Sequence, residues 1–273
     1  MKSTLVFLPL LVLAAMSCSP ADTGGQVISF HAYASGLSAA NGEVEFDTNS
    51  GFHVRLARAT LHIGAVYLRL GQTNPGSANA SCVGDTTYGL QVPGPVDFDV
   101  LSNTPQEFSV LGSATSDVDQ SGEIWLVYGD INQVASVAPN GGPPVIVAVS
   151  GVATKNATSY PFHGSLTIGQ NHLIPPPNVA QPGQNPICKQ RIVSPIPLDL
   201  QPTVGGDLLL RVDPRAWFNG VDFSALLPGA DGTTLEIPDS SNGSGADAAA
   251  GRAFFTAVTG ASADVYRFSW FTP

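Results

Sequence analysis

Histidines are the first side chains in this sequence that could do chemistry, because imidazole is the commonest metal ligand in proteins. Five are present: His31, His53, His62, His163 and His172. His53 and His62 lie nine residues apart in one β-rich run, and an odd separation places them on opposite faces of a regular strand unless a bulge intervenes. We expect surface or hydrogen-bonded core histidines. The alternative is a copper or zinc site built from histidines on different strands, with His53, His62 and His163 as the candidate ligands.

A second candidate site is the segment 117–122, DVDQSG. Its alternating oxygen-bearing residues Asp117, Asp119 and Ser121 match the first ligand positions of a calcium-binding loop, and the glycine permits a sharp turn. The match ends there, because the twelfth position is Tyr128, where an EF-hand requires a bidentate glutamate. We therefore expect an ordinary hairpin turn and keep a calcium-binding turn as the alternative.

Paired carboxylates are the third kind of candidate, since two acids that flank a glycosidic bond can hydrolyse it. They occur as Glu43, Glu45 and Asp47, and again as Asp97 and Asp99. A spacing of two places each set on one face of a strand. Solvent-exposed strand faces are normally polar, so we expect a solvated sheet face here. A glycan-directed hydrolase is the alternative.

The familiar catalytic signatures are absent from the sequence, which contains no G-x-S-x-G, H-E-x-x-H, G-x-x-x-x-G-K or G-x-G-x-x-G motif. We therefore expect a protein that is not an enzyme. Among the tryptophans, Trp125 and Trp270 lie in apolar segments typical of core strands. Trp217 follows Asp213 in a short predicted helical turn, and we expect it to be partly exposed and available to a ligand.

The composition argues against nucleic acid as a partner. The 273 residues include 21 acidic and 11 basic side chains, which give a formal net charge of -10. Binding to phosphates requires clustered lysine and arginine. With 43% hydrophobic and only 12% charged residues, the chain has the composition of a folded protein and not of a disordered one.

The N-terminal segment 1–17 has one lysine, an apolar run and small residues before Cys18. The run is shorter than the roughly 20 apolar residues of a permanent spanning helix, so it predicts a secretory signal peptide. Residues 15–18, AMSC, resemble the lipobox of bacterial lipoproteins. This resemblance implies cleavage before Cys18, acylation of that cysteine and, with Ser19 next, sorting to the outer membrane. Ordinary cleavage a few residues later is the alternative.

A lipid on Cys18 leaves Cys82 and Cys188, which an oxidising compartment should pair in a disulfide. The sequence has no C-x-x-C motif, so we expect a structural bridge. Residues 18–25 then form the lipidated cysteine and a flexible tether, and residues 26–273 form one domain.

Short β-rich segments separated by turn residues dominate the rest of the chain. Strands are predicted over 27–33, 42–47, 52–70, 96–101, 107–111, 123–131, 145–153, 160–168, 192–200, 207–212 and 264–271. Helical signals are confined to one turn after Asp213 and to the segment 246–258. The pattern predicts an all-β, antiparallel β-sandwich with Greek-key connections, Ig-like or jelly-roll-like, with one or two short helices.

These observations favour an exported, lipid-anchored cell-envelope protein at the outer membrane or periplasmic face. We expect it to act as a non-catalytic binding or structural module without a cofactor. Its expected partners are the membrane, through the lipid, and envelope proteins or glycans. A periplasmic protein that binds copper, zinc or calcium is the first alternative, and the glycan-directed hydrolase is the second.

Overall fold

The computed structural model describes residues 27–39, 42–70, 88–115, 117–135, 138, 141–142, 144–173, 186–239 and 243–273. The predicted signal segment 1–17, Cys18 with its tether 18–25, and Cys82 lie outside these ranges. None of the helices within these ranges has the length and apolar character that a membrane-spanning helix needs.

Strands dominate the described chain. They are β1 Ile28–Phe30, β2 Ala32–Ser35, β3 Val44–Asp47, β4 His53–Ile63, β5 Ala65–Arg69, β6 Tyr88–Val92, β7 Val96–Asp99, β8 Gln106–Glu107, β9 Gly112–Ala114, β10 Asp119–Trp125, β11 Val145–Lys155, β12 Thr158–Thr167, β13 Ile192–Leu200, β14 Asp207–Val212, β15 Leu227–Pro228, β16 Leu235–Ile237 and β17 Tyr266–Phe271. The α-helices are α1 Cys188–Arg191 and α2 Ala246–Thr259, and short 3-10 helices span Gln170–His172, Pro214–Phe218 and Phe223–Ala225.

The strands form three sheets, and the predicted all-β, sandwich-like fold with short helices is confirmed. A six-stranded sheet has the order β1-β9-β6-β5-β10-β13, and a four-stranded sheet has the order β17-β14-β2-β8. A seven-stranded sheet has the order β15-β16-β12-β11-β4-β3, with β7 also paired to β4. Most pairs are antiparallel as predicted, but β14 pairs with β2, and β12 with β16, in parallel. The long chain excursions between these partners allow the parallel pairing.

A β-bulge in β4 changes the faces predicted for its histidines. Ser150 of β11 lies opposite Arg58, whereas the next residue, Gly151, lies opposite Leu56, so Ala57 has no partner. The extra residue shifts the alternation of side chains by one position. His53 and His62, at the two ends of the strand, consequently lie on the same outer face despite their odd separation.

An aromatic cluster fills the space between the seven-stranded sheet and the short helices. Its rings belong to Phe52, Phe162, Phe218, Phe223 and Phe254, with neighbouring centroids 4.7–6.2 Å apart. All five side chains are buried. They belong to the main hydrophobic core, which draws residues from all three sheets.

Trp217 belongs to this core, so the expectation of an exposed, ligand-binding Trp217 is wrong. The helical turn itself is as predicted, because Asp213 caps it by accepting a hydrogen bond from the backbone N–H of Arg215 at 3.0 Å. The turn packs against α2, and the Trp217 indole is 0% exposed and lies edge-to-face with Phe254. Helical propensity located the turn but did not indicate which side of it meets the core.

Candidate functional site

An aromatic groove opens on the outer side of the six-stranded sheet, at the end where β5 and β10 meet the segment that follows β10. It has a volume of about 460 Å³, within the range of small-molecule sites. Its lining residues are His62, Gly64, Ala65, Tyr67, Pro93, Pro95, Asp97, Trp125, Val127, Tyr128 and Gly129.

Strand register places the rings of Tyr67 and Trp125 side by side. In the antiparallel β5–β10 pair, Tyr67 lies opposite Glu123, and Trp125 lies two residues further along β10 on the same face. The Tyr67 and Trp125 ring centroids are 4.7 Å apart, and Tyr88 of β6 lies 4.5 Å from Tyr67 on its other side. Tyr67 and Trp125 are only partly buried, so the groove presents aromatic surface to solvent.

A buried ion pair behind these rings fixes the Trp125 indole. Glu123 is 1% exposed and accepts a hydrogen bond from the indole N–H of Trp125 at 2.6 Å. Its other carboxylate oxygen pairs with the guanidinium of Arg69, which also lies 4.9 Å from the centre of the Tyr88 ring. Hydrogen bonds to a charged carboxylate are stronger than those between neutral groups. The buried Glu123 therefore holds the Trp125 indole and the Arg69 guanidinium in one orientation.

A His–Asp–Tyr cluster forms the opposite wall. Asp97 of β7 lies opposite His62 of β4, with its Oδ1 2.8 Å from Nδ1 of His62. The Tyr128 hydroxyl donates to the same oxygen at 3.2 Å, and its ring stacks on the imidazole with centroids 3.5 Å apart. Nε2 of His62 faces the carbonyl oxygen of Val127 at 3.1 Å. Both ring nitrogens are therefore engaged, and Asp97 keeps 71% of its side chain exposed at the rim.

The loop that carries Tyr128 is anchored from below by Arg191. The Arg191 side chain is 0% exposed and donates to the backbone carbonyls of Ile131, Gln133, Val134 and Ile168. Burial lowers the pKa of its guanidinium, although Asp130 acts in the opposite direction. These bonds tie the loop after β10 to the core.

A small apolar cluster lies beneath the indole. It consists of Val127, Ile131 and Cys188, with Trp125 packed against it. Cys188 is 0% exposed and disulfide-bonded. Cys82, the partner predicted for it, lies outside the described residues.

Close approach of the groove loop to the sheet requires glycine at position 64. A Cβ there would lie 2.3 Å from the carbonyl oxygen of Val127, which is too close for any other residue. Gly64 therefore lets the backbone before Tyr128 lie directly against the β4–β5 connection.

Both groove tyrosines keep their protons at neutral pH. Burial, helped by Tyr88 and Glu123, raises the pKa of Tyr67. Burial also raises the pKa of Tyr128 to about 12, and the charge of Asp97 and its hydrogen bond act in the same direction. The groove therefore offers neutral hydroxyls beside the Asp97 carboxylate.

The structure does not bring together the three histidines considered as joint metal ligands. His53 is exposed and its Nδ1 lies 2.9 Å from Oδ1 of Asp47, while both nitrogens of His62 are engaged as described. His163 lies on β12 beside Glu236 of β16. Among the described residues, no group of three or more His, Cys, Asp or Glu side chains is placed to hold an ion.

The segment 117–122 does not form the hairpin turn expected for it, because β10 begins at Asp119. Pairing with β13 along residues 119–125, and with β5 along residues 121–125, holds this segment in extended conformation. Asp119 and Ser121 are buried in this strand, whereas Asp117 is partly exposed.

The paired carboxylates lie on a solvated sheet face, as expected. Glu45, Asp47, Asp97 and Asp99 are exposed, and the partly exposed Glu43 lies 3.5 Å from Arg55. Of the acids, Asp97 alone lines the aromatic groove. The other four lie outside it.

Trp125 lines the groove and not the core predicted for it, so the aromatic groove was not predicted from the sequence. The apolar neighbours Ile124 and Leu126 are buried, and they gave the whole segment the character of a core strand. The polar Glu123 two residues earlier is the signal that could have identified the outer face, because residues two apart share a side of the strand.

Comparisons with known proteins give no further identification: no family model, curated protein or solved structure matches the chain.

Proposed function

We propose that this chain is an exported, lipid-anchored protein of the bacterial cell envelope whose β-sandwich binds a glycan without modifying it. The observation that carries the proposal is the pair of partly exposed rings of Tyr67 and Trp125, 4.7 Å apart, facing the exposed Asp97 carboxylate across the groove. Sugars present C–H groups on their ring faces and hydroxyls at their edges, so a site for them combines aromatic surface with hydrogen-bonding groups.

The groove matches both requirements. The negative π faces of tyrosine and tryptophan attract the C–H faces of a pyranose. Asp97 accepts hydrogen bonds from hydroxyls, and the neutral Tyr128 hydroxyl beside it supplies a second polar group. The prolines at positions 93 and 95 extend the apolar floor.

Preorganisation supports binding at this site. The Glu123 carboxylate orients Trp125, and Asp97 holds both His62 and Tyr128. A site whose side chains are already ordered loses less conformational entropy when the ligand arrives.

Binding is favoured over hydrolysis because glycoside hydrolysis requires two carboxyl groups flanking one bond. Among the residues that line the groove, Asp97 is the one carboxylic acid. Its side chain is 71% exposed. A catalytic general acid instead lies in apolar surroundings, which raise its pKa.

The test is a glycan array of envelope polysaccharides probed with the purified protein, followed by calorimetry on each ligand found. W125A and Y67A should each weaken binding by about tenfold or more, as expected for aromatic residues at the centre of a site. Phe271, an exposed aromatic residue outside the groove, supplies the matched control F271A. Equal loss in F271A, or turnover of the glycan, would contradict the proposal.

The membrane anchor is proposed from the lipobox resemblance at residues 15–18. Labelled palmitate should be incorporated into the wild-type protein and not into the C18S variant. Fractionation should then place the wild type, but not C18S, in the outer membrane. Release of unlabelled wild-type protein would favour ordinary signal cleavage.

The disulfide partner proposed for Cys188 is Cys82. Peptide mapping of the non-reduced protein should give one linked pair that contains both cysteines and separates on reduction. A linkage of Cys188 to Cys18 would contradict both this pairing and the lipid anchor.

A further inference from the structure

Asp119, the first residue of β10, is a buried acid. Its side chain is 0% exposed, and neither carboxylate oxygen has a hydrogen-bond partner within the described part of the chain. Moving an isolated carboxylate out of water is costly unless it is paired, hydrogen-bonded, neutralised or bound to a metal. Among the described residues, Asp119 is neither paired with a cation nor hydrogen-bonded through its carboxylate.

The surroundings of this carboxylate add negative charge. Burial raises the pKa of Asp119 to about 7, and the negative charge of the nearby Asp117 acts in the same direction. Asp117 is itself partly exposed, so the pair extends from the sheet interior to solvent. Two neighbouring acids with no described counter-charge are the arrangement that a cation stabilises.

Gly89 of β6 makes room for the carboxylate. A Cβ at position 89 would lie 2.2 Å from Oδ1 of Asp119. Glycine weakens a strand interior, and in strands it often marks a point where a ligand or another group approaches the backbone closely. Glycine at this position of β6 thus leaves the space that the Asp119 side chain occupies.

We propose that Asp119 and Asp117 are ligands of a calcium ion bound where β10 begins, beside β6. Both proposed ligands bind through oxygen, which is the donor atom that hard cations such as calcium prefer. Zinc and copper sites, by contrast, include nitrogen or sulfur ligands. The described residues contain no group of three potential His, Cys, Asp or Glu ligands, so the proposed site uses backbone carbonyls and water as its further oxygen ligands. Ser121, two residues after Asp119, lies on the same face of β10.

The affinity should be modest. Calcium affinity rises with the number of charged ligands, and two carboxylates fit the roughly 0.1–1 mM range of extracellular calcium modules. A bound ion would relieve the repulsion between the two acids at the start of β10. It should therefore raise the melting temperature of the protein.

The test uses full-length protein freed of metal with EDTA and titrated with calcium chloride by calorimetry and by thermal melting. We expect about one calcium per chain and a higher melting temperature, with D119N and D117N each binding roughly tenfold or more weakly. D264N is the matched control, because Asp264 is an exposed acid 3.7 Å from Arg267, and it should bind like the wild type.

Two results would overturn the proposal. One is no calcium uptake by the wild type together with a D119N variant as stable as the wild type or more so, which would mean that Asp119 is a neutral buried acid. The other is uptake of zinc or magnesium in place of calcium. If D119N fails to fold, the partly exposed Asp117 keeps the test open, since unchanged calcium binding by D117N would also refute the site.

Discussion

Asp97 lies directly opposite His62 in the β4–β7 ladder, and its Oδ1 lies 2.8 Å from Nδ1 of a histidine whose side chain is only 3% exposed. The same oxygen accepts a hydrogen bond from Tyr128, and Nε2 of His62 faces the carbonyl of Val127. One exposed carboxylate thus joins β4, β7 and the loop after β10, and it also forms the rim of the groove.

Removal of this carboxylate should destabilise the protein. D97A leaves Nδ1 of the buried His62 without its acceptor, and an unsatisfied buried polar group costs about 1–3 kcal/mol. The unfolding free energy can be measured by urea denaturation. Asp47 provides the matched control, because it pairs in the same cross-strand way with His53, which is 51% exposed. D47A should change the stability by less than about 0.5 kcal/mol; equal effects would show that burial of His62 is irrelevant.

Arg191 should be more sensitive still. Its guanidinium donates to five backbone carbonyls, which belong to Asp130, Ile131, Gln133 and Val134 in the loop after β10 and to Ile168. A lysine has three donors on one atom and cannot span these acceptors, so R191K should cost about 3 kcal/mol. Amide exchange should accelerate over residues 130–134. R211K, at an exposed arginine of β14, is the control and should change neither quantity.

The fold was largely predictable because most strands obey a period of two. The final strand shows this well: Tyr266 is 0% exposed, and Phe268 and Trp270 pack against the core, as their spacing predicts. The strands that escaped prediction are short or contain glycine. β6 contains Gly89, a residue that propensity alone assigns to a turn. Glycine is required at this strand position because the Asp119 carboxylate occupies the space that a side chain would fill.

The site was less predictable because it depends on faces and not on residue types. A single bulge at Ala57 reversed the relation between His53 and His62, and no local signal marks that bulge in the sequence. Trp125 and Trp217 exchanged their expected roles for a similar reason. Each lies in a segment whose secondary structure is clear, but the direction of the side chain is decided by what packs against the segment.

The exposed pair of His31 and Glu107 should give a measurable pH dependence. The hydrogen bond between His31 and Glu107 raises the pKa of His31 above its usual value of 6.5. Slight burial opposes this shift, and the negative charges of Glu107 and Asp207 support it. A raised histidine pKa stabilises the fold below the unfolded value and ceases to do so as the pH rises through the folded value. NMR titration should show the elevated pKa in the wild type and a lower one in E107Q.

Stability measurements on the same pair give an independent check. The difference between wild type and E107Q should be largest at pH values just below about 6.5, where the histidine is protonated. It should vanish at pH values above the folded pKa of His31. A difference that grew with rising pH would have the wrong sign for this interaction.

Trp125 and Trp217 should separate binding from stability. Trp217 is 0% exposed in the aromatic core, so W217A leaves a large cavity and should cost about 3–5 kcal/mol of unfolding free energy. Glycan affinity, measured well below the melting temperature on the folded protein, should stay within about twofold of the wild type because nothing at the groove changes. W125A should show the reverse ranking, with the larger loss in affinity and the smaller loss in stability, since the Trp125 ring is only partly buried.

Ligand binding should also shift the tryptophan fluorescence of the wild type and of W217F, but not that of W125F. A fluorescence shift that disappears in W217F would return the binding role to Trp217.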